Sequence, residues 1–426
     1  MVQLSRLTSL DFMSHPPLPA EANGTRRGDT APVLAISAYF FCNGAAYASW
    51  VPRLPDIKRA LLVSDTGLGL TLVGSVVGSL AMSLFFAPVI HRFGSRRTTT
   101  TSTIALAGML PLVALAPSAP LLFAALACFG SFDAFADISV NSQAMQLQRK
   151  RVRSIMTRFH GMWSVGALAG GLVASRAAAA GVSVRVQLIA TSAVLMTVAA
   201  SSERGLLPSE ADPHYTGEPE TPSESEPRRG RPNRRRASLP SRVKMLFVAA
   251  GAAAIVAEIP ATEWATLMVG ERFPARIASA GLGFIGFACG MVIGRFVGDR
   301  VTDSLGPNLT LRTGSVLTAV AFVLACSISN FAVVVGALGL AGIGCSWLNP
   351  LVVRRASDVF GGPGGATLCG IGARLGILVG TPLMGRLSDL TGRSQALLIV
   401  GGGAALATTV LRLPDASAPG ADRPEP

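Results

Sequence analysis

The sequence predicts an all-α membrane protein with twelve transmembrane helices in two six-helix, pseudo-symmetric halves. Three observations carry this expectation. Half of the 426 residues are hydrophobic, 14% are charged and the mean hydropathy is +0.48, whereas soluble domains average about 25% charged residues. Twelve apolar stretches approach the length of roughly 20 residues that a bilayer core requires. The two halves also match at a fixed offset of 214 residues, from Trp50 to Trp264. Soluble domains of this length would need polar surface that the composition cannot supply, and apolar residues are too abundant for general disorder.

The expected spans are 32–50, 67–90, 98–117, 119–146, 157–179 and 182–202, then 243–269, 278–302, 309–328, 331–353, 364–386 and 394–412. Residues 1–31 are polar and lack the charged start, short apolar run and cleavage site of a signal peptide. They read as a disordered cytoplasmic N-terminus. Residues 32–202 form the first half, 203–241 a cytoplasmic linker, 242–412 the second half, and 413–426 a disordered cytoplasmic tail. With the N-terminus inside, about three of every four Lys and Arg fall on the cytoplasmic side. Both termini are therefore expected in the cytoplasm and the chain in the cytoplasmic (inner) membrane, multi-pass.

The net charge of +13 follows from that orientation. No folded basic domain accompanies it, so nucleic acid is not an expected partner. The linker is acidic from Glu203 to Glu226 and basic from Arg228 to Arg236; the basic run suits anionic lipid headgroups. Cys42, Cys128, Cys289, Cys326, Cys345 and Cys369 all lie in apolar segments without paired spacing. They read as small buried hydrophobes, with no disulfide and no metal site.

The internal match extends beyond the tryptophans. Gly67-Leu68-Gly69 aligns with Gly281-Leu282-Gly283, Gly166 with Gly380, and Gly171 with Gly385. Parallel six-helix repeats joined by a cytoplasmic loop are the architecture of major facilitator transporters, and the chain resembles that superfamily over nearly all of 32–412. The superfamily's loop signature, Gly-x-x-x-Asp-Arg-x-Gly-Arg, is expected after the second and eighth spans. The first copy is degraded, with His91 in place of Asp and then Arg92, Gly94, Arg96 and Arg97. The second offers two registers, Asp299-Arg300 or Asp303-x-x-Gly306. Gly385-x-x-x-Asp389-x-x-Gly392-Arg393 matches better but stands between the last two spans. His91, Arg92, Gly94, Asp299, Arg300 and Asp303 are the gating-loop candidates. Within the superfamily, four stretches resemble the branch of fucose-permease-related and rhizopine-cluster membrane proteins. They are Asn43 to Pro55, Asp137 to Gln143, Phe159 to Gly166, and Glu258 to Trp264.

Ionisable residues in hydrocarbon cost a few kcal/mol each and usually face a cavity, so they are the informative positions. Asp133, Asp137 and Asn141 are spaced four apart in the fourth span and share one helix face. Asn43 and Tyr47 do the same in the first. Glu258 precedes Pro260, which frees backbone carbonyls and can break a helix at a site. Glu263 adjoins Trp264, and Arg374 lies mid-span. The resemblance implies that spans 1, 4, 7 and 10 line a central cavity. For each residue two roles compete: a substrate or proton site, or a structural ion pair or interface anchor.

Glycines four apart let helices approach closely. Gly74 and Gly78, Gly166 and Gly170, Gly286, Gly290, Gly294 and Gly298, and Gly372, Gly376 and Gly380 form such stripes. The resemblance implies that the four spans carrying them form the seam between the halves.

These features favour a secondary active transporter that moves a small-molecule substrate across the cytoplasmic membrane by alternating access, with protons as the expected coupling ion. Few aromatics and several Asp, Asn and Gln positions favour a polar solute, and the resemblance to the fucose-permease-related branch implies a sugar- or polyol-like one. A proton-coupled exporter of drugs or a natural product is the alternative, and a non-transporting sensor with the same fold a distant one. No nucleotide-binding Gly-rich sequence is present, and the four histidines offer no spaced pair for hydrolysis. The chain is read as a monomer, not an enzyme and without a cofactor.

Overall fold

The computed structural model describes residues 30–149, 155–208, 240–360, 363–411 and 413. The basic run Arg228 to Arg236, most of the expected linker and nearly all of both expected tails lie outside them. Among the described residues all regular structure is helical. α1 (Thr30–Trp50) passes through a 3-10 turn at Val51–Arg53 into α2 (Leu54–Leu61). α3 (Asp65–Leu72) and α4 (Gly74–Met82) lead into α5 (Phe86–Leu115), followed by α6 (Ala119–Arg149), α7 (Met156–Ala179) and α8 (Val184–Ser202). α9 (Ser241–Ile259) passes through a π-helical turn at Pro260–Trp264 into α10 (Ala265–Arg272). Then come α11 (Leu282–Leu305), α12 (Pro307–Ser327), α13 (Phe331–Phe360) and α14 (Pro363–Thr391). The last run holds α15 (Arg393–Leu397), a second π turn at Leu398–Gly402, and α16 (Gly403–Val410).

Among the described residues, ten helical runs are long and apolar enough to cross a membrane. The expected spans 157–179 and 394–412 also form helices but are not among the ten. α7 carries Arg158, His160 and Arg176, and the last run opens on Arg393-Ser394-Gln395.

Three connections share one backbone conformation. Gly94, Gly306 and Gly392 have φ of 76°, 78° and 88° with ψ of 157°, 156° and 154°. Only glycine adopts this region without strain. These glycines stand three residues after His91, Asp303 and Asp389. The equivalence settles the register of the second signature: Asp303 holds the acidic position, and Asp299 lies one turn earlier within α11.

Helices of 30–208 pack largely among themselves, α1 on α7 and α8, α6 on α4 and α5. Helices of 240–413 do likewise, α9 on α14, α13 on α11 and α12. The two groups meet chiefly where α3 lies on α14 and α7 on α11.

The glycine stripes expected at this seam lie elsewhere. A Cβ on Gly74 or Gly78 would strike the α6 backbone at Phe123 or Ala127, and one on Gly166 or Gly170 would strike α1 at Phe41 or Ala45. Gly286, Gly290 and Gly294 meet α13 in the same way, and Gly298 meets Trp347. Gly372 and Gly376 meet the α9 backbone, and Gly380 the side chain of Val256. Each stripe thus presses a helix onto a neighbour in its own group. The close approaches across the seam belong to other glycines, Gly69 against Thr381 and Gly385 against Asp65. Spacing identifies a small face but not the helix that covers it. The cysteines depart from expectation too: all are free, but Cys128 is exposed and Cys289 and Cys326 are half-buried.

Candidate functional site

A cavity of about 1000 Å³ lies between the two groups, lined from both. α1 contributes Asn43 and Tyr47, one turn apart. α6 contributes Asp133 and Asp137, and α7 contributes His160, Trp163 and Ser164. From the second group come Glu258, Thr262 and Glu263 around the π-helical turn, Arg295 and Asp299 on α11, Trp347 and Asn349 on α13, and Arg374 on α14. The wide turn at Pro260–Trp264 has a local cause. Pro260 has no N–H to donate, so the ladder loosens there, and Glu258 and Glu263 both reach the cavity despite a five-residue spacing.

Hydrogen bonds hold the walls. Trp163 Nε1 donates to Asn43 Oδ1 at 2.9 Å, fastening α7 to α1. Trp347 Nε1 donates to the Gly294 carbonyl at 2.8 Å, fastening α13 to α11. Arg295 Nη1 donates to Ser164 Oγ at 2.5 Å, and its guanidinium lies 5.8 Å from the Trp163 ring centre. Such a cation–π contact contributes about 0.5–1 kcal/mol where water still reaches it. Arg295 therefore crosses from the second group to the first.

The charges divide by depth. Tyr47 stands within electrostatic range of Glu263, Glu258 and Asp133. Asp137 is likewise within electrostatic range of His160 and Arg374, and Glu258 of Arg295. Neither Arg295 nor Arg374 comes within 4.0 Å of a carboxylate among the described residues. Five carboxyls, Asp299 at the mouth among them, and two guanidiniums thus share one cavity, and the absence of closed ion pairs to these guanidiniums among the described residues leaves polar atoms available to a solute. Among the described residues no group of three or more His, Cys, Asp or Glu could hold a metal ion.

Among the described residues the cavity opens toward one end. Toward the mouth, Asp137, His160, Arg295, Phe296 and Asp299 are exposed. Beyond Tyr47 and Glu263, Trp50, Val51, Leu54, Trp264 and Met268 are all buried and close the opposite end. The Tyr47 ring stacks edge-on against Trp50 at 5.8 Å, beneath that seal.

Seven of the eight expected site residues meet here: Asn43, Tyr47, Asp133, Asp137, Glu258, Glu263 and Arg374. Asn141 does not line the cavity. Its Nδ2 turns back to Asp137, donating to the carbonyl at 2.8 Å and to Oδ1 at 2.9 Å. Of the gating-loop candidates only Asp299 reaches the cavity, at its mouth. His91, Arg92, Asp303 and Arg300 are exposed. Sequence reasoning missed Arg295. The available signal was its position in α11, thirteen residues after Leu282 in an otherwise apolar run. Trp163 and Ser164 were passed over because neither is ionisable.

Comparison with known proteins agrees with this architecture. Residues 36–274 and 246–426 each match the family described as the Major Facilitator Superfamily. The chain is 26% identical over 380 residues to the membrane protein MosC of Rhizobium meliloti, covering 88% of each. It is 26% identical over 363 residues to an uncharacterized MFS-type transporter of Yersinia pestis, covering 84% of this chain and 89% of that one. Among solved structures it resembles the nucleoside transporter NupG, with a TM-score of 0.66 at 13% identity over 89% of this chain and 98% of NupG. It also resembles a bacterial homolog of the human lysosomal transporter Spinster in an inward-facing and occupied conformation. There the TM-score is 0.65 at 14% identity, over 91% of this chain and 95% of the other. At such identities the structural likeness concerns the fold.

Proposed function

The chain belongs to the Major Facilitator Superfamily, and on that premise we propose that it is a secondary active transporter of a small polar solute, driven by protons. The solute is sugar- or polyol-like and crosses the cytoplasmic membrane by alternating access. In this reading α7 and the last helical run also span the bilayer, giving twelve spans in two pseudo-symmetric halves, 32–202 and 242–412. Both termini face the cytoplasm, so the mouth of the cavity opens inward.

One observation carries the proposal: a charged cavity between the two groups, open at one end and closed by apolar side chains at the other. A solute bound there is in contact with both groups, so a rocking motion would expose it to the opposite side. Asp133 and Glu258 are the proposed proton carriers, one on each side of the cavity. Burial disfavours a carboxylate's charged form, and a nearby cation or solute restores it, so proton and solute occupancy become linked. Asn43, Tyr47, Asp137, Glu263 and Arg374 are the proposed solute contacts, joined by Arg295.

A thermal-shift screen of the detergent-purified protein tests the substrate class. Sugars, inositols, sugar acids and lipophilic cations are compared at acidic and neutral pH. A solute at about 100 times its dissociation constant adds roughly 2.7 kcal/mol of stability. Stabilisation by one polar solute, stronger at acidic pH, is the expected result. Stabilisation by lipophilic cations alone would overturn it in favour of export of amphiphilic compounds, a reading that the apolar wall residues Ile255, Ile259, Val292, Phe296 and Ile377 support.

A further inference from the structure

The closed end of the cavity carries a second feature, a cluster of charges that joins the two groups of helices. The first turn of α3 leaves backbone N–H groups that its own residues cannot all satisfy. Ser64, its N-cap, covers part of them: its side chain accepts from Gly67 N at 3.1 Å and its carbonyl from Leu68 N at 3.0 Å. The remaining two amides are bound from the far end of the chain. Asp389, near the end of α14, accepts from Asp65 N at 3.0 Å and from Thr66 N at 2.8 Å, and from the Thr66 hydroxyl at 2.6 Å. These partners lie 324 and 323 positions apart.

Arg393, one residue past the Gly392 turn, completes the cluster. Its Nη2 donates to Asp65 Oδ1 at 2.9 Å and its Nε stands 2.9 Å from Oδ2. Its Nη1 donates to Glu271 Oε2 at 2.9 Å. Asp65 is 4% exposed, and Lys58 Nζ also reaches it at 2.6 Å. Beneath the cluster the helices touch. A Cβ on Gly69 would lie 2.7 Å from the Thr381 carbonyl, so α3 and α14 are in backbone contact there.

We propose that Asp389 and Arg393 form a latch that holds the outer end of the transporter shut and must release once in each transport cycle. The proposal rests on the alternating-access reading above. Its physical basis is that half of the α3 N-terminal cap is supplied across the interface. When the two groups part at this end, Asp65 N, Thr66 N and the Asp65 carboxylate pass from Asp389 and Arg393 to water. Charge-assisted hydrogen bonds are the stronger kind, and a carboxylate at a helix N-terminus also gains from the helix dipole. Nothing else fixed by these two residues belongs to the solute cavity, which neither of them lines.

Site-directed labelling tests the latch. Thr262→Cys places a thiol at the deep end of the cavity, where the Thr262 hydroxyl donates to carbonyls of its own helix and lies beside Tyr47. The full-length parent without this thiol sets the background. A membrane-impermeant maleimide is applied to intact cells, which reach the closed end, and to inside-out vesicles, which reach the mouth. In the single variant, labelling is expected in vesicles and not in cells. Adding Asp389→Ala or Arg393→Gln should raise labelling in cells about tenfold, the equivalent of 1.4 kcal/mol, and lower it in vesicles. Arg393→Lys should lie between. Unchanged labelling in cells would overturn the latch, and so would a rise from both sides, which reports a loosened fold. If labelling moves reciprocally but no solute is transported, the latch stands and the transport reading fails.

Discussion

At the closed end of the cavity Asp389, three residues before Gly392, binds two backbone amides of α3. At the open end His91 and Asp303 stand at the same distance before Gly94 and Gly306, and neither makes a hydrogen bond or ion pair among the described residues. All three sites share the same glycine turn. The difference is the partner: Asp389 has a helix start within reach, and the other two do not. A short sequence pattern therefore builds the same turn everywhere, while the free energy that holds an end shut lies in contacts between distant segments. At the open end Arg295 still bonds Ser164 across the groups, but among the described residues neither His91 nor Asp303 joins them, and there the cavity meets solvent.

Substitutions that separate packing within a group from closure between groups sharpen this comparison. Gly290→Val should have the largest effect. The new side chain would strike the Gly339 backbone inside the second group, and overpacking of this kind costs at least about 1–3 kcal/mol. Size-exclusion chromatography in detergent should show aggregated rather than monodisperse protein. A monodisperse variant with an unchanged melting temperature would break the distinction.

Asp65→Asn comes next. It removes the acid shared by Lys58 and Arg393, leaving Lys58 without that acid and Arg393 with Glu271 alone, at a cost of about 2 kcal/mol. Its melting temperature should fall, and the fall should shrink when Arg393→Gln is combined with it, because the guanidinium that lost its buried acid is gone. Strict additivity of the two substitutions would contradict the ion pair.

Arg295→Gln should act on the solute rather than on the fold. Losing the guanidinium over Trp163 should weaken binding of the stabilising solute about tenfold, read from the concentration dependence of the thermal shift, while the unliganded protein loses only about 1 kcal/mol of stability. Equal affinity would remove Arg295 from the site. At the small end, Asp303→Asn and His91→Gln should change stability by less than about 0.5 kcal/mol, since neither side chain makes a bond. A larger change in melting temperature would mean that the open end is held as the closed end is.

Much of this arrangement is legible in the sequence, and the reasons differ by residue. Asn43, Tyr47, Asp133, Asp137, Glu258, Glu263 and Arg374 are polar or ionisable in apolar runs, and hydrocarbon drives such residues to one cavity. Asn141 shares that signal yet turns back onto its own helix, because a side-chain amide can satisfy itself one turn away. Arg295 escaped because a lone cation near Asp299 and Arg300 looks like part of a membrane-edge charge cluster. The glycine stripes gave the small faces of four helices but not their partners, which depend on rotation about each helix axis. Asp389 was visible as a misplaced signature, yet its bond to Thr66 spans 323 positions, and no local pattern encodes that.

The most direct test of the central claim is accumulation of the stabilising solute in proteoliposomes under an inwardly directed proton gradient. Wild-type protein is predicted to concentrate the labelled solute and to stop when the gradient is collapsed. The chain with Asp133→Asn and Glu258→Gln is predicted to bind the solute but not to accumulate it. Accumulation by that double variant equal to wild type would contradict proton coupling through these two carboxyls.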